Sequence, residues 1–216
     1  MTSSLVDFWP VLLRGVGTTL WISWLGLILG GLIGAVVGMA ADSRFRTLRI
    51  FATVYTELFR SIPPLILFFG CFYGISFAFK LNLSPFTSAT IALALEASAF
   101  MAGVVSSGIA SVGRGQWEAA QATGMNFSQI MRYVVGPQAI RVMLPPTVGV
   151  YIGTLKDSSL ASVIGFVELT KAGLLVREAS GASFQVFLVI GALYFLINYS
   201  ISLVGAALER KFHIEK

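Results

Sequence analysis

Charges are so sparse along this chain that the apolar runs between them set its architecture. Three runs are free of charge: Gly15 to Ala41, Ser61 to Phe79, and Ala179 to Leu208. Each is long enough to cross a bilayer, which takes ~20 apolar residues. Thr87 to Val112 is interrupted by Glu96, and Val142 to Leu155 is short unless it borrows Val134 to Ile140 across Pro137. The pattern predicts five crossings, and therefore an all-α integral membrane protein forming a single domain over residues 1–216. No basic cluster precedes the first run and no small-residue cleavage site follows it, so it is expected to be a retained helix rather than a secretory signal. Within that run Gly26, Gly30, Gly34 and Gly38 recur at a strict four-residue step, along one helical face where another backbone can approach closely. Packing inside the chain is favoured over a contact between subunits.

Between the third and fourth runs the pattern changes. From Gly115 to Ile140 the chain is polar and carries its own helix signals. Trp117, Ala120 and Gly124 share a face, and Gly124 is placed to terminate a helix. Asn126 is placed to cap a second helix, with Gln129 reaching back as in a capping box. The second apolar face is Phe127, Ile130, Met131 and Val134, ending where Gly136 and Pro137 break the helix. This helix-turn-helix insert is too short and too polar to cross a membrane. One reading is an amphipathic element resting on lipid headgroups. Such elements are rich in Lys and Arg on the polar face, whereas this one offers Gln116, Glu118, Gln121 and Gln129 with only Arg132. Docking on another protein is favoured.

Composition agrees: 56% of the residues are hydrophobic and 12% charged, against about a quarter charged in soluble domains. The net charge of +5 matters less than its placement. Arg44, Arg46 and Arg49 follow the first crossing, Arg114, Arg132 and Arg141 the third, and Arg210, Lys211 and Lys216 the fifth. Nine of the fifteen basic residues thus fall on one side, which the positive-inside rule makes cytoplasmic. The N-terminus is then outside, with Trp9, Trp21 and Trp24 near the outer interface, and the C-terminus cytoplasmic. One cysteine, Cys71, leaves no disulfide and no cysteine metal site within the chain. His213 stands alone and makes neither a catalytic triad nor a metal site. No G-x-x-x-x-G-K-[ST] loop occurs, so the chain is not expected to bind ATP.

Three motifs carry a resemblance. Glu118-Ala119-Ala120, with Gly124 six residues after the glutamate and Pro137 thirteen after that glycine, resembles the EAA loop of ABC importer permeases, which docks on the cytoplasmic ATPase. "YTELFRSIPPL", Tyr55 to Leu65, is similar to the family's Y-x-E-x-F-R-G-T-P-L segment. "LKDSSLASVIGFVELTKAG", Leu155 to Gly173, is similar to the L-K-D-T-S-L-A-S-x-I stretch of the polar amino-acid branch, the histidine-, glutamine- and glutamate-type permeases. The resemblance runs from about residue 15 to residue 211. It implies a type I ABC importer permease in the bacterial cytoplasmic membrane, with a coupling loop at about 113–137. It further implies a pair of permeases, a pair of ATPase subunits that bind the ATP, and an extracytoplasmic solute-binding protein delivering a polar amino acid. The chain itself would bind no cofactor and do no covalent chemistry.

Departures from that pattern fall at Gly136, where the family has leucine, and in "EASAFMAGVVSSGI", Glu96 to Ile109. There Phe100 replaces a tyrosine, Gly103 a glutamate and Ser106 an arginine. The missing pair favours a heterodimer with a related permease over a homodimer, because a polar pathway gains from paired charges that also satisfy Glu96.

Ionisable groups at membrane depth usually face a cavity or a partner, which selects Glu57, Arg60 and Glu96, with Phe100 beside the last. Glu57 and Arg60 are spaced for a helical ion pair, the structural alternative to a pathway role. Glu96 needs a partner in space. Lys156, Asp157, Ser158 and Ser159 offer donors and acceptors suited to a zwitterion, the alternative being an interfacial helix end with a snorkelling lysine. Two rival functions remain: a membrane-embedded enzyme using Glu57, Glu96 and Asp157 as acid-base groups, and a membrane assembly protein.

Overall fold

The computed structural model describes residues 8–212, and its regular elements are all helical. In order they are α1 (Trp9–Ala41), α2 (Arg46–Ser61), α3 (Pro64–Phe69), α4 (Ile75–Phe79), α5 (Pro85–Ala110), α6 (Arg114–Ala122), α7 (Phe127–Ile130), α8 (Gly136–Asp157), α9 (Leu169–Ser180) and α10 (Ser183–Lys211). A π turn, Gly70–Gly74, joins α3 to α4; another, Met131–Val135, joins α7 to α8; and a 3-10 stretch, Ser158–Ile164, follows α8. Three helices, α1, α5 and α10, are long and apolar enough to cross a membrane, and two bent pairs raise the number to five. His213 and Lys216 lie outside the described residues.

The glycine ladder of α1 packs inside the chain, as expected. A Cβ on Gly26, Gly30, Gly34 or Gly38 would lie 2.8, 2.7, 2.6 and 2.7 Å from the Cβ of Leu93, Ala97, Met101 and Val105 respectively. Both series advance by four, so α1 and α5 run parallel with their backbones in near contact, a closeness only the missing side chains permit. The opposite sense holds for α8, which places Met143 against Gly108 and Thr154 near Gly26. Helix α10 runs with α5, since Ile190 meets Gly173 near its start and Val148 meets Gly205 further on. The C-terminal ends of α1, α5 and α10 therefore share one end of the bundle with the start of α8. That end gathers Arg44, Arg46, Arg49, Arg114, Arg132, Arg141, Arg210 and Lys211.

One expectation is refined and one is corrected. The run from Ser61 to Phe79 is not helical throughout: the helix starts at Pro64 and continues to Phe79, set at 102° to α2 by a break at Ile62 and Pro63. Ile62 and Pro63 are extended, with ψ of 125° and 133°, because a residue before proline is driven from the α region, and here two such residues are consecutive. Nor does the helix break at Gly136 and Pro137. The chain stays helical from Phe127 to Asp157 because the π turn widens the backbone just ahead of the proline: the Gly136 N–H bonds to the Met131 carbonyl, and Pro137, which has no N–H, falls in the first turn of α8. A Cβ on Gly136 would collide with that carbonyl, so this turn accepts glycine where the family carries leucine.

At the end opposite the basic one, Glu168 is fully buried and caps α9. Its carboxylate accepts from the Thr170 and Lys171 N–H groups and from Tyr194 Oη, each at 2.8 Å. The Leu169 N–H donates to Thr19 Oγ1 at 3.0 Å. Helix α9 is thereby tied to α1 and α10.

Candidate functional site

Two regions hold most of the residues singled out by the sequence. The first is the polar insert. Gly124 has φ of 78°, the left-handed conformation that glycine adopts at little cost. Asn126 and Gln129 form both bonds of the capping box: Gln129 N–H to Asn126 Oδ1 at 3.0 Å and Asn126 N–H to Gln129 Oε1 at 2.9 Å. Ala120 is buried in a cluster with Val105, Ile109, Ile130, Val135 and Ala139, while Glu118, Ala119 and Pro137 are exposed. The small side chain of Ala120 seats α6 on the ends of α5 and α8. Trp117 stacks on Phe127 at 6.3 Å between ring centroids, and Phe127 is 69% exposed. The insert is thus a rigid knob with an apolar base, a polar crown and an exposed aromatic.

The second region is a groove between α5, α8 and the end of α2, made of two adjoining cavities of about 370 and 380 Å³. Glu96 and Asp157 line the first, Arg60 and Gly103 the second, and Phe100, Pro146 and Val150 line both. Gly149 and Gly153 leave room on α8 in the first cavity. Helix α2 is held against α5 by a hydrogen bond between Tyr55 Oη and Ser98 Oγ at 2.6 Å. This places the Arg60 guanidinium 5.2 Å from the Phe100 ring centroid, and Arg60 Nη2 occupies the place that a Cβ on Gly103 would take. Glu96 Oε2 is buried with no hydrogen-bond partner.

Among the described residues the ion pair found is Arg177 with Glu178, at 3.6 Å. The pair that spacing permits between Glu57 and Arg60 is not formed: Glu57 is exposed, and Arg60 turns to Phe100 instead. The groove brings Arg60, Glu96, Phe100 and Asp157 together. Lys156 leaves on the other side of α8, lining a cavity with Tyr194, Asn198 and Tyr199. Ser158 is buried and donates to the Leu155 carbonyl at 2.7 Å; Ser159 is half-buried and lines neither groove cavity. Sequence reasoning missed Pro146, Gly149 and Gly153. Their signal was present as a proline inside an apolar helix followed by small residues four apart.

Comparison with known proteins places this geometry. Residues 30–214 match the model of the family described as "Binding-protein-dependent transport system inner membrane component". The L-cystine transport system permease protein TcyB of Bacillus subtilis is 35% identical over 95% of this chain and 88% of its own length. The glutamine transport system permease protein GlnP of Escherichia coli K12 is 32% identical over 95% and 94%. A crystal structure of an amino acid ABC transporter with histidines superimposes with a TM-score of 0.88 at 32% identity, covering 98% of this chain and all of that one. An inward-facing structure of the MetNI methionine ABC transporter, at 23% identity and a TM-score of 0.83, shares the fold. The chain belongs to the binding-protein-dependent transport system inner membrane component family, as a multi-pass permease subunit of a bacterial ABC transporter.

Proposed function

We propose that this chain forms the translocation pathway of an ATP-driven importer of polar amino acids and couples it to a separate ATPase. The observation that carries the reading is the groove, where Glu96 and Asp157 are half-buried among apolar helices and Arg60 stands exposed at the α2 edge, the other lining residues being mostly small or hydrophobic. Burying such groups is costly unless they face a pathway or partner. The amino-acid permeases among the relatives support the same substrate class.

The whole chain, residues 1–216, then acts as one transmembrane permease domain, with the insert at about 113–137 as its coupling loop. Glu118, Ala119, Ala120, Gly124 and Pro137 form the knob that an ATPase subunit receives. The ATPase holds the ATP, and this chain binds no cofactor. The basic end of the bundle is cytoplasmic under the positive-inside rule, which leaves the α9 end to meet a solute-binding protein. The second permease is a related chain rather than an identical copy, since Gly103 and Ser106 withhold a charged pair from a symmetric pathway.

The test is reconstitution in liposomes with the ATPase and binding protein, followed by uptake of labelled amino acids. ATP-dependent uptake is expected, requiring co-expression of the second permease. No uptake of any amino acid would overturn the assignment, and full activity without the second permease would overturn the heterodimer.

A further inference from the structure

We propose that the elbow between α1 and α2 binds an anionic phospholipid, its headgroup among Arg44, Arg46 and Arg49 and an acyl chain along the outward face of α2.

Three observations converge on this site. The first is depth. The 27 residues from Gly15 to Ala41 carry no charge and, as one helix, rise about 40 Å, against ~30 Å for a hydrocarbon core. The chain from Asp42 to Phe45 therefore turns in the headgroup layer. Helix α2 then climbs back into the bilayer beside α1, since Ala52 packs with Val37 and Ala102 and Tyr55 bonds to Ser98.

The second is charge. Arg44, Arg46 and Arg49 fall within six residues and are all exposed. Among the described residues none of them pairs with a carboxylate, not even with the exposed Asp42 nearby. The Arg44 guanidinium lies 4.8 Å from the centroid of the exposed Phe45 ring. A guanidinium stacked on a ring keeps its N–H edge free, and that fork of donors matches the oxygens of a phosphate.

The third is shape. Arg46, Ile50, Val54 and Leu58 succeed one another at four-residue steps and form one strip along α2. All four are exposed, the three apolar ones by more than half. From the arginine to Leu58 the strip rises about 18 Å, on the scale of one leaflet of the core. It is cationic at headgroup level and apolar above, the polarity of a phospholipid. A soluble phosphate would use the arginines and leave the apolar strip uncovered. An ATPase subunit outside the membrane would meet the arginines without reaching Val54 or Leu58.

The test attaches a fluorophore to Thr47→Cys, an exposed position beside Arg46, in the permease–ATPase complex. The complex is reconstituted in liposomes of equal phosphatidylglycerol and phosphatidylcholine, with a nitroxide on the chains of one lipid or the other, and quenching by the two is compared. Phosphatidylglycerol should occupy the site at least about fivefold more tightly, the scale of one cation at an anionic surface. The Arg44→Gln, Arg46→Gln, Arg49→Gln variant should bring that ratio close to one. The corresponding triple lysine variant should keep it, which separates lost charge from lost fold. Arg210→Gln with Lys211→Gln, at the same end of the bundle, should leave the ratio unchanged, a result that general attraction to the basic end would not give. Equal quenching by the two lipids in the wild type, or an unchanged ratio in the triple glutamine variant, would overturn the inference. Loss of the ATPase from the glutamine variant with the lipid ratio unchanged would overturn it in favour of an acidic face of the ATPase.

Discussion

Gly34→Ala should separate the two central helices. The added Cβ would lie 2.6 Å from Met101 Cβ, 2.7 Å from the Ser98 carbonyl oxygen and 3.0 Å from the Ala102 nitrogen. None of these atoms can rotate away. Ordinary carbon contacts lie at roughly 3.5–4.0 Å, so α1 and α5 must part by on the order of 1 Å at this level. That loosens Gly30 and Gly38 on either side, and lipid supplies no hydrophobic force to hold the helices together. Overpacking of this kind costs about 1–3 kcal/mol. Against it stands the better helix propensity of alanine, about 1 kcal/mol. Gly31→Ala isolates the two effects, because its Cβ meets nothing within 4 Å and it gains propensity alone. The difference between the two alanine variants is therefore the packing cost, which at about 2–4 °C per kcal/mol for a chain of this size is a gap of roughly 2–12 °C in melting temperature. Thermal unfolding of the detergent-solubilised permease, followed by size-exclusion chromatography, measures it. A double Gly30→Ala, Gly34→Ala variant should lose less than the sum of its parts, since one separation relieves both clashes. If Gly34→Ala and Gly31→Ala melted together, the close approach of α1 and α5 would not be what holds the bundle.

Further expectations concern the two ends of the bundle. Gly124→Leu has open space for its side chain but a backbone φ of 78°, so its effect is strain of about 1–2 kcal/mol at the turn; ATP hydrolysis should uncouple from transport, and wild-type stimulated hydrolysis and uptake would rule out the knob as the coupling element. Glu168→Ala leaves the Thr170 and Lys171 N–H groups and the Tyr194 hydroxyl without their acceptor, at a cost of about 3 kcal/mol, while Tyr194→Phe removes one donor and should cost about 1 kcal/mol; equal melting temperatures for the two would deny the carboxylate its role as the hub. Cysteines introduced at positions 45 and 126 should be labelled from the cytoplasm, together with position 213 beyond the described residues, and position 82 from outside; labelling of position 126 from outside would reverse the orientation.

What could be read from the sequence was local in the chain. The apolar runs, the four-residue glycine step and the Asn126–Gln129 capping box all depend on helical periodicity or on bonds between near neighbours, so residue order suffices to specify them. Partners distant in sequence were decided by the fold. Arg60 forgoes Glu57, one turn away, for Phe100 and the hollow at Gly103, because Tyr55 and Ser98 fix how α2 lies on α5. Glu168 draws together Tyr194 and a strand of backbone bonded to Thr19, 150 residues from Leu169 in sequence. Local signals also failed where two of them competed. Pro137 read as a helix end, yet a π turn carried the helix through, while Pro63 and Pro64 set the second apolar run at a sharp angle to α2 that hydropathy does not report. Lys156 and Asp157 read as one polar set, but consecutive helical residues point about 100° apart. Only the packing of α8 between α5 and α10 determined that the aspartate faces the groove and the lysine the opposite side.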